Sequence, residues 1–152
     1  MNYEELLIEA DENGLITKEK PLQAYNGRIK GNKILIRKDM NSTQKACVLA
    51  EELGHHYTTV GNILDQSITE NRKQEYRARV RAYRRAFGLA ELISAYKYGC
   101  RNRYEIAEHL NVTESFLIDA IAHYKTQYGT YTKVDNYLIY FEPLGVLELN
   151  IE

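Results

Sequence analysis

Residues 50–57 read Ala50-Glu51-Glu52-Leu53-Gly54-His55-His56-Tyr57, which places two adjacent carboxylates beside two adjacent imidazoles. On a helix of about 3.6 residues per turn, Glu51 and His55 point the same way, and Glu52 shares with them an arc of roughly 100°. His56 points about 140° away from Glu51. The stretch therefore predicts a helix face that collects one imidazole and two carboxylates.

This spacing is close to the H-E-x-x-H signature of zinc peptidases, in which two histidines one turn apart hold Zn²⁺ and the glutamate is the general base. Glu51 stands where the first histidine would stand, so the motif here is E-E-x-x-H. Glutamate is a zinc ligand in other sites, but it is a harder donor than imidazole and adds a negative charge. The motif alone leaves two interpretations open, a metal site and a solvated helix face with a capping histidine.

A zinc peptidase also needs a third protein ligand and keeps one coordination position open for water. Residues 71–86 are rich in arginine and alanine, and their pattern predicts a helix. On this helix Glu75 heads a strip of small residues with Ala78 and Ala82, while the arginines cover the opposite side. A carboxylate on a buried stripe needs a partner, so we expect Glu75 to be the further ligand. Glu70 is the poorer candidate and is expected to be a solvated acid.

The run from Val48 to His55, followed by the pattern Glu75-x-x-Ala78-x-x-x-Ala82, resembles the ImmA/IrrE family of metallo-endopeptidases. The likeness is greatest to the small phage and mobile-element members from Gram-positive bacteria, and it extends from residues 34–38 to residues 141–145. It implies a zinc-dependent protease that cleaves a cognate helix-turn-helix repressor and so induces the genes of the element.

The resemblance also implies roles for individual residues. His55 and Glu75 match metal ligands, and Glu52 matches the catalytic base. Glu51 matches the position of the first ligand but not its residue type. An atypical Zn²⁺ site and a non-catalytic relative that binds the repressor without cleaving it both stay open.

Composition sets the outer bounds. A chain of 152 residues with 44% hydrophobic residues predicts one globular domain, here residues 1–152. A net charge of −1 gives no general attraction to nucleic acid. Cys47 and Cys100 do not make a disulfide framework, and Cys47 is expected to be a core thiol. Without a signal peptide or a membrane-spanning run, we expect a cytoplasmic protein with no membrane partner.

Periodicity along the chain predicts an α+β domain, mainly helical and zincin-like, with a small antiparallel sheet. We expect strands at residues 22–29 and 33–37, and a substrate could pair with the edge at residues 34–37. The motif helix is expected over about residues 43–58, after N-caps offered by residues 41–43. The remaining predictions are helices at residues 3–10, from residue 68 or 69, and at residues 89–98, a loop over residues 60–66, and a strand over residues 136–141.

Residues 104–121 imitate the spacing of a DNA-binding helix-turn-helix. The second helix of this segment carries Glu114 and Asp119, whereas a reading helix presents basic or amide side chains to DNA. We therefore expect no direct contact with nucleic acid, and assign the segment to helix packing or to repressor contact. The basic residues between Arg72 and Arg85 are expected to form a solvated face or a dock for an acidic protein segment.

Overall fold

The computed structural model describes residues 1–58 and 68–150. The chain divides into two compact units, Met1–Arg85 and Ala86–Glu152. Six helices and two small three-stranded sheets, over the described residues, confirm the predicted α+β, mainly helical class. The predicted loop over residues 60–66 lies outside the described residues, and the single domain stays a prediction.

The first unit contains three helices and one sheet. The elements in chain order are α1 (Tyr3–Glu12), β1 (Ile16–Lys20), β2 (Gly27–Lys30), β3 (Lys33–Arg37), α2 (Ser42–Thr58) and α3 (Ile68–Ala86). All three helices lie where the sequence predicted them. The start of α2 is fixed by a capping box, in which the Gln44 amide donates to Asn41 Oδ1 at 2.8 Å and the Asn41 amide donates to Gln44 Oε1 at 2.9 Å.

The sheet of the first unit corrects two predictions. Its strand order is β1-β3-β2, so β3 is the central strand, and the predicted substrate edge at residues 34–37 is wrong. Both sides of β3 are occupied, by β1 in parallel and by β2 in antiparallel register. β2 begins only at Gly27 and is shorter than the predicted strand over residues 22–29. The sheet is therefore mixed, and β2 is one of its edges.

The core of the first unit lies between α1, α2 and the sheet. Leu6 of α1, Ile34 and Ile36 of β3, and Leu49 and Leu53 of α2 are almost completely buried. Each such side chain contributes about 1.5–3 kcal/mol through the removal of apolar surface from water. The apolar face of α2 is therefore held against the sheet, and the direction of its polar groups is fixed.

Helices α2 and α3 approach each other closely at Gly54. A Cβ atom placed on Gly54 would lie 3.0 Å from the carbonyl carbon of Ala78 and still closer to its oxygen. Ala78 and Ala82 are buried, as the small-residue strip predicted. Glycine inside a helix costs about 1 kcal/mol relative to alanine, and the close approach of a second backbone explains its presence here.

The second unit contains three helices and an antiparallel sheet. Its elements are α4 (Leu89–Tyr98), α5 (Arg103–Leu110), α6 (Glu114–Tyr128), β4 (Tyr131–Val134), β5 (Tyr137–Phe141) and β6 (Leu144–Glu148). The bounds of α4 are those predicted, and Gly99 ends it in the left-handed region at φ 115°. The predicted strand is β5, while β4 and β6, which flank it, were not predicted. No helix in the described ranges is long and apolar enough to cross a membrane.

The contact at Gly54 generates a stability prediction. Gly54→Ala should lower the free energy of unfolding by about 1–3 kcal/mol, because the added methyl group forces two backbones apart. Gly145→Ala is the matched control, since a Cβ atom there would meet no atom within 4 Å. Urea unfolding of both variants measures the difference, and a Gly54→Ala protein more stable than the parent would contradict the contact.

Candidate metal centre

The two helices bring His55 and Glu75 together. His55 Nε2 on α2 lies 3.3 Å from Glu75 Oε2 on α3, although twenty residues separate the two in the sequence. The His55 side chain is 19% exposed and the Glu75 side chain 54% exposed. The predicted pairing of these residues is therefore present, but the predicted buried position of Glu75 is wrong. Its carboxylate lies at the rim of the centre, where solvent reaches it.

Glu52 is the one buried charged residue among those the structure describes, with 9% of its surface exposed. Its carboxylate is hydrogen-bonded to the backbone of Ile29 on β2. Gly27, two residues earlier, lets β2 approach α2 closely, since a Cβ atom there would clash with Cγ1 of Val48 and would contact Cγ and Oε1 of Glu52 at 3.4 Å. The sequence did not predict that β2 forms one wall of the centre.

The surroundings of Glu52 raise the pKa of its carboxyl group to about 7. Burial is the largest cause, because the charged form loses its hydration, and the negative charges of Glu51 and Glu75 add to it. The hydrogen bond with Ile29 acts in the opposite direction. A carboxyl group with a pKa near neutrality is well matched to both accept and release a proton.

The outer edge of β2, which pairs with no second strand among the described residues, faces the same carboxylate. The Arg37 amide donates to the Asn26 carbonyl at 2.8 Å. In an antiparallel pair, the backbone N–H and C=O groups of alternate residues bond to the partner strand, while those of the residues between point away from it. Gly27 and Ile29 therefore turn their backbone groups away from β3, and the bond between Ile29 and Glu52 agrees with this direction. The edge of the sheet that lies beside Glu52 is therefore β2.

The geometry of His55 and Glu75 fits part of a zinc site. Two ligand atoms of a tetrahedral Zn²⁺ lie about 3.3 Å apart when both bonds are about 2.0–2.1 Å long, which is the separation found here. Within residues 1–58 and 68–150, however, no three His, Cys, Asp or Glu side chains are grouped so that they could hold a metal ion. Glu51, the expected additional ligand, acts on Glu52 through its charge but does not complete such a group.

Other residues considered from the sequence have structural roles. Glu70 forms an ion pair with Lys73 at 3.5 Å, in agreement with a solvated acid at the start of α3. Cys47 is buried and its thiol is not in a disulfide, as predicted. Tyr57 accepts a hydrogen bond from Asn13 Nδ2 at 3.1 Å, and the Arg81 guanidinium lies 4.3 Å from the centre of its ring. Tyr57 thus joins α1, α2 and α3.

The high pKa of Glu52 predicts a pH-dependent effect on the stability of the metal-free protein. The folded state holds the proton more tightly than the unfolded chain does, so the stability that this group provides is complete at low pH and is lost as the pH rises through about 7. Glu52→Gln should therefore raise the free energy of unfolding at pH 8 by up to about 3 kcal/mol and leave it little changed at pH 4.

Urea unfolding in the presence of a chelator, at both pH values, measures this effect. Glu70→Gln is the control, since it removes an acid that is about half exposed. An equal effect of Glu52→Gln at the two pH values would show that ionisation of a buried carboxyl group is not the cause.

Comparison with known proteins agrees with this geometry. A model of the peptidase M78 family, described as the IrrE N-terminal-like domain, matches residues 10–124. This range includes α2, β2 and α3, which together carry the centre. No curated protein and no solved structure matches the chain. Because the family model covers most of the sequence, the chain belongs to the metallopeptidase-like ImmA/IrrE family.

Proposed function

We propose that the protein is a zinc-dependent endopeptidase of a phage or mobile element, and that it cleaves a cognate helix-turn-helix repressor to induce gene expression. The observation that carries the proposal is the buried Glu52 carboxylate beside the pair of His55 and Glu75. Membership of a metallopeptidase-like family supports the reaction class. The repressor and the origin in a mobile element come from the resemblance of the sequence to the small members of that family.

In this proposal His55 and Glu75 would hold the zinc, and Glu51 would be the third ligand. Bound Zn²⁺ supplies a Lewis acid for the scissile carbonyl and for the attacking water. Glu52 would take the proton from that water and pass it to the leaving amine, because it is the buried carboxylate beside the pair of His55 and Glu75. The outer edge of β2 would align the extended substrate by strand addition.

The abundance of carboxylates has a consequence for the rate. A site with one imidazole and two carboxylates leaves the metal less Lewis-acidic than a site with two imidazoles and one carboxylate. We therefore expect slow turnover, or completion of the site by the bound partner.

A second candidate function is a non-catalytic regulator that binds the repressor without cleaving it. The observation that favours it is that the described residues contain no group of three possible metal ligands.

Neither candidate involves direct contact with nucleic acid, because Glu114 and Asp119 are exposed on α6, the second helix of the helix-turn-helix-like segment.

The metal assignment predicts the effect of removing each ligand. His55→Ala and Glu75→Ala should each lower zinc affinity by at least about 10–100-fold, because a site with so few protein ligands does not tolerate the loss of one. Glu51→His should raise the affinity by supplying the imidazole of the common motif. Elemental analysis and competition with a chromogenic chelator measure these changes.

Glu70→Ala is the control for Glu75→Ala, since Glu70 is an acid on the same helix that pairs with Lys73. If His55→Ala or Glu75→Ala still binds one zinc per chain, the replaced residue is not a zinc ligand. A weaker affinity in Glu51→His would show that Glu51 does not face the metal.

The catalytic assignment makes a separate prediction. Glu52→Gln preserves the shape of the side chain but cannot accept a proton, so the variant should retain zinc and fold while cleavage of the repressor falls by at least about 100-fold. Gel analysis of purified repressor incubated with each protein measures cleavage. Equal cleavage by parent and variant would place the base elsewhere, and a parent that binds the repressor without cutting it would establish the second candidate.

A further inference from the structure

An open pocket of about 430 Å³ lies on α3 next to the candidate metal centre. The described residues that line it are Asn71, Arg72, Glu75, Tyr76 and Arg79, all on α3. Glu75 belongs to both places, because its carboxylate contacts His55 while its side chain lines the pocket. A peptide bound at the centre and continuing past Glu75 therefore meets this pocket.

The two arginines of the pocket lie on one face of α3. Arg72 and Arg79 are seven residues apart, which places them within about 20° of each other around the helix. Both are exposed, and neither forms an ion pair or hydrogen bond with any residue that the structure describes. They flank Glu75 by about one turn on either side, so the prediction that the arginines lie opposite Glu75 is wrong for these two.

Other arginines of the same helix already have roles within the first unit. Arg81 packs over the ring of Tyr57, and Arg85 Nε lies 3.6 Å from Glu9 Oε1. Arg77 and Arg84 are exposed and do not line the pocket. The helix therefore contains two exposed arginine pairs with the same seven-residue spacing, and only one pair adjoins the centre.

Charge complementarity identifies the occupant of the pocket. The described charged residues that line the pocket are Arg72, Arg79 and Glu75, so the pocket carries a net positive charge, which attracts a carboxylate. Two guanidinium groups supply that charge, and each can bind a carboxylate through two parallel hydrogen bonds. The partly exposed ring of Tyr76 offers an apolar wall for the methylene groups of the same side chain.

We propose that Arg72 and Arg79 form a specificity subsite for acidic side chains of the peptide substrate. This inference rests on the proposed peptidase function, because it assigns the pocket to the substrate of the same centre. The arginines lie outside the groups that hold metal or move protons. Their replacement should therefore change substrate affinity and preference, and leave the chemical step intact.

Binding of labelled peptides tests the subsite without any need for cleavage. The probes are three fluorescein-labelled peptides of the same length, with a run of glutamates, of glutamines or of lysines, measured by fluorescence anisotropy at low ionic strength. The double variant Arg72→Glu and Arg79→Glu is compared with Arg77→Glu and Arg84→Glu, which carries the same change of net charge on the same helix.

We expect the pocket variant to bind the glutamate peptide roughly three- to tenfold more weakly, as for the loss of two surface ion pairs, and to bind the lysine peptide more tightly than the parent does. The control variant should keep the preference of the parent. If the two double variants change peptide binding equally, the preference for the glutamate peptide comes from net charge alone, and the subsite is wrong. An unchanged preference in the pocket variant would also overturn the subsite.

The same variants separate this inference from the proposed function. If the parent cleaves its repressor and the pocket variant cleaves it with unchanged KM, the peptidase stands and the subsite is wrong. If the parent cleaves nothing but its preference for the glutamate peptide depends on Arg72 and Arg79, the pocket stands as an acidic-segment site and the peptidase is wrong. A raised KM with unchanged kcat in the pocket variant supports both.

Discussion

The backbone approach between Gly54 and Ala78 is the constraint on which the centre depends. His55 follows Gly54 directly, and Glu75 lies about one turn before Ala78, so the distance between the two helices sets the distance between the two side chains. Because glycine lacks a Cβ atom, α2 and α3 lie close enough for a separation of 3.3 Å between Nε2 and Oε2. A larger residue at this crossing would move the side chains of His55 and Glu75 apart.

A second small residue, Gly27, permits the close approach that surrounds Glu52. Gly27 lets β2 pass directly over α2, and the backbone of Ile29 then provides the hydrogen bond to Glu52. Burial without that bond would be more costly, since a carboxylate removed from water needs a partner. Two close approaches, one from a helix and one from a strand, thus place an acid with a raised pKa beside a potential ligand pair.

Sequence patterns predicted the local part of this arrangement. Caps and periodicity are short-range properties, which is why α2, α3 and α4 were predicted with nearly correct bounds. The strip of Ala78 and Ala82 and the meeting of His55 with Glu75 also followed from helical spacing. These features depend only on the angular positions of side chains around α2 and α3 and on the reversal of chain direction between the two helices.

The remainder depends on long-range pairing. The strand β1 is largely polar and exposed, so no alternation marked it, and its parallel pairing made β3 central instead of an edge. The contact of Gly27 and Ile29 with Glu52 joins residues more than twenty positions apart and leaves no periodic trace in the sequence. The sequence wrongly predicted that Glu75 is buried. Its angle around α3 shows which face it lies on, but not whether a neighbouring helix covers that face at Glu75.

The central claim is that His55 and carboxylates, and no other histidine or cysteine, form the metal site. X-ray absorption at the zinc edge of the parent protein tests it most directly, because the extended fine structure distinguishes imidazole, oxygen and sulfur ligands. The account predicts one imidazole with the remaining ligands oxygen. A zinc site with two or more imidazoles, or with any sulfur, would contradict it.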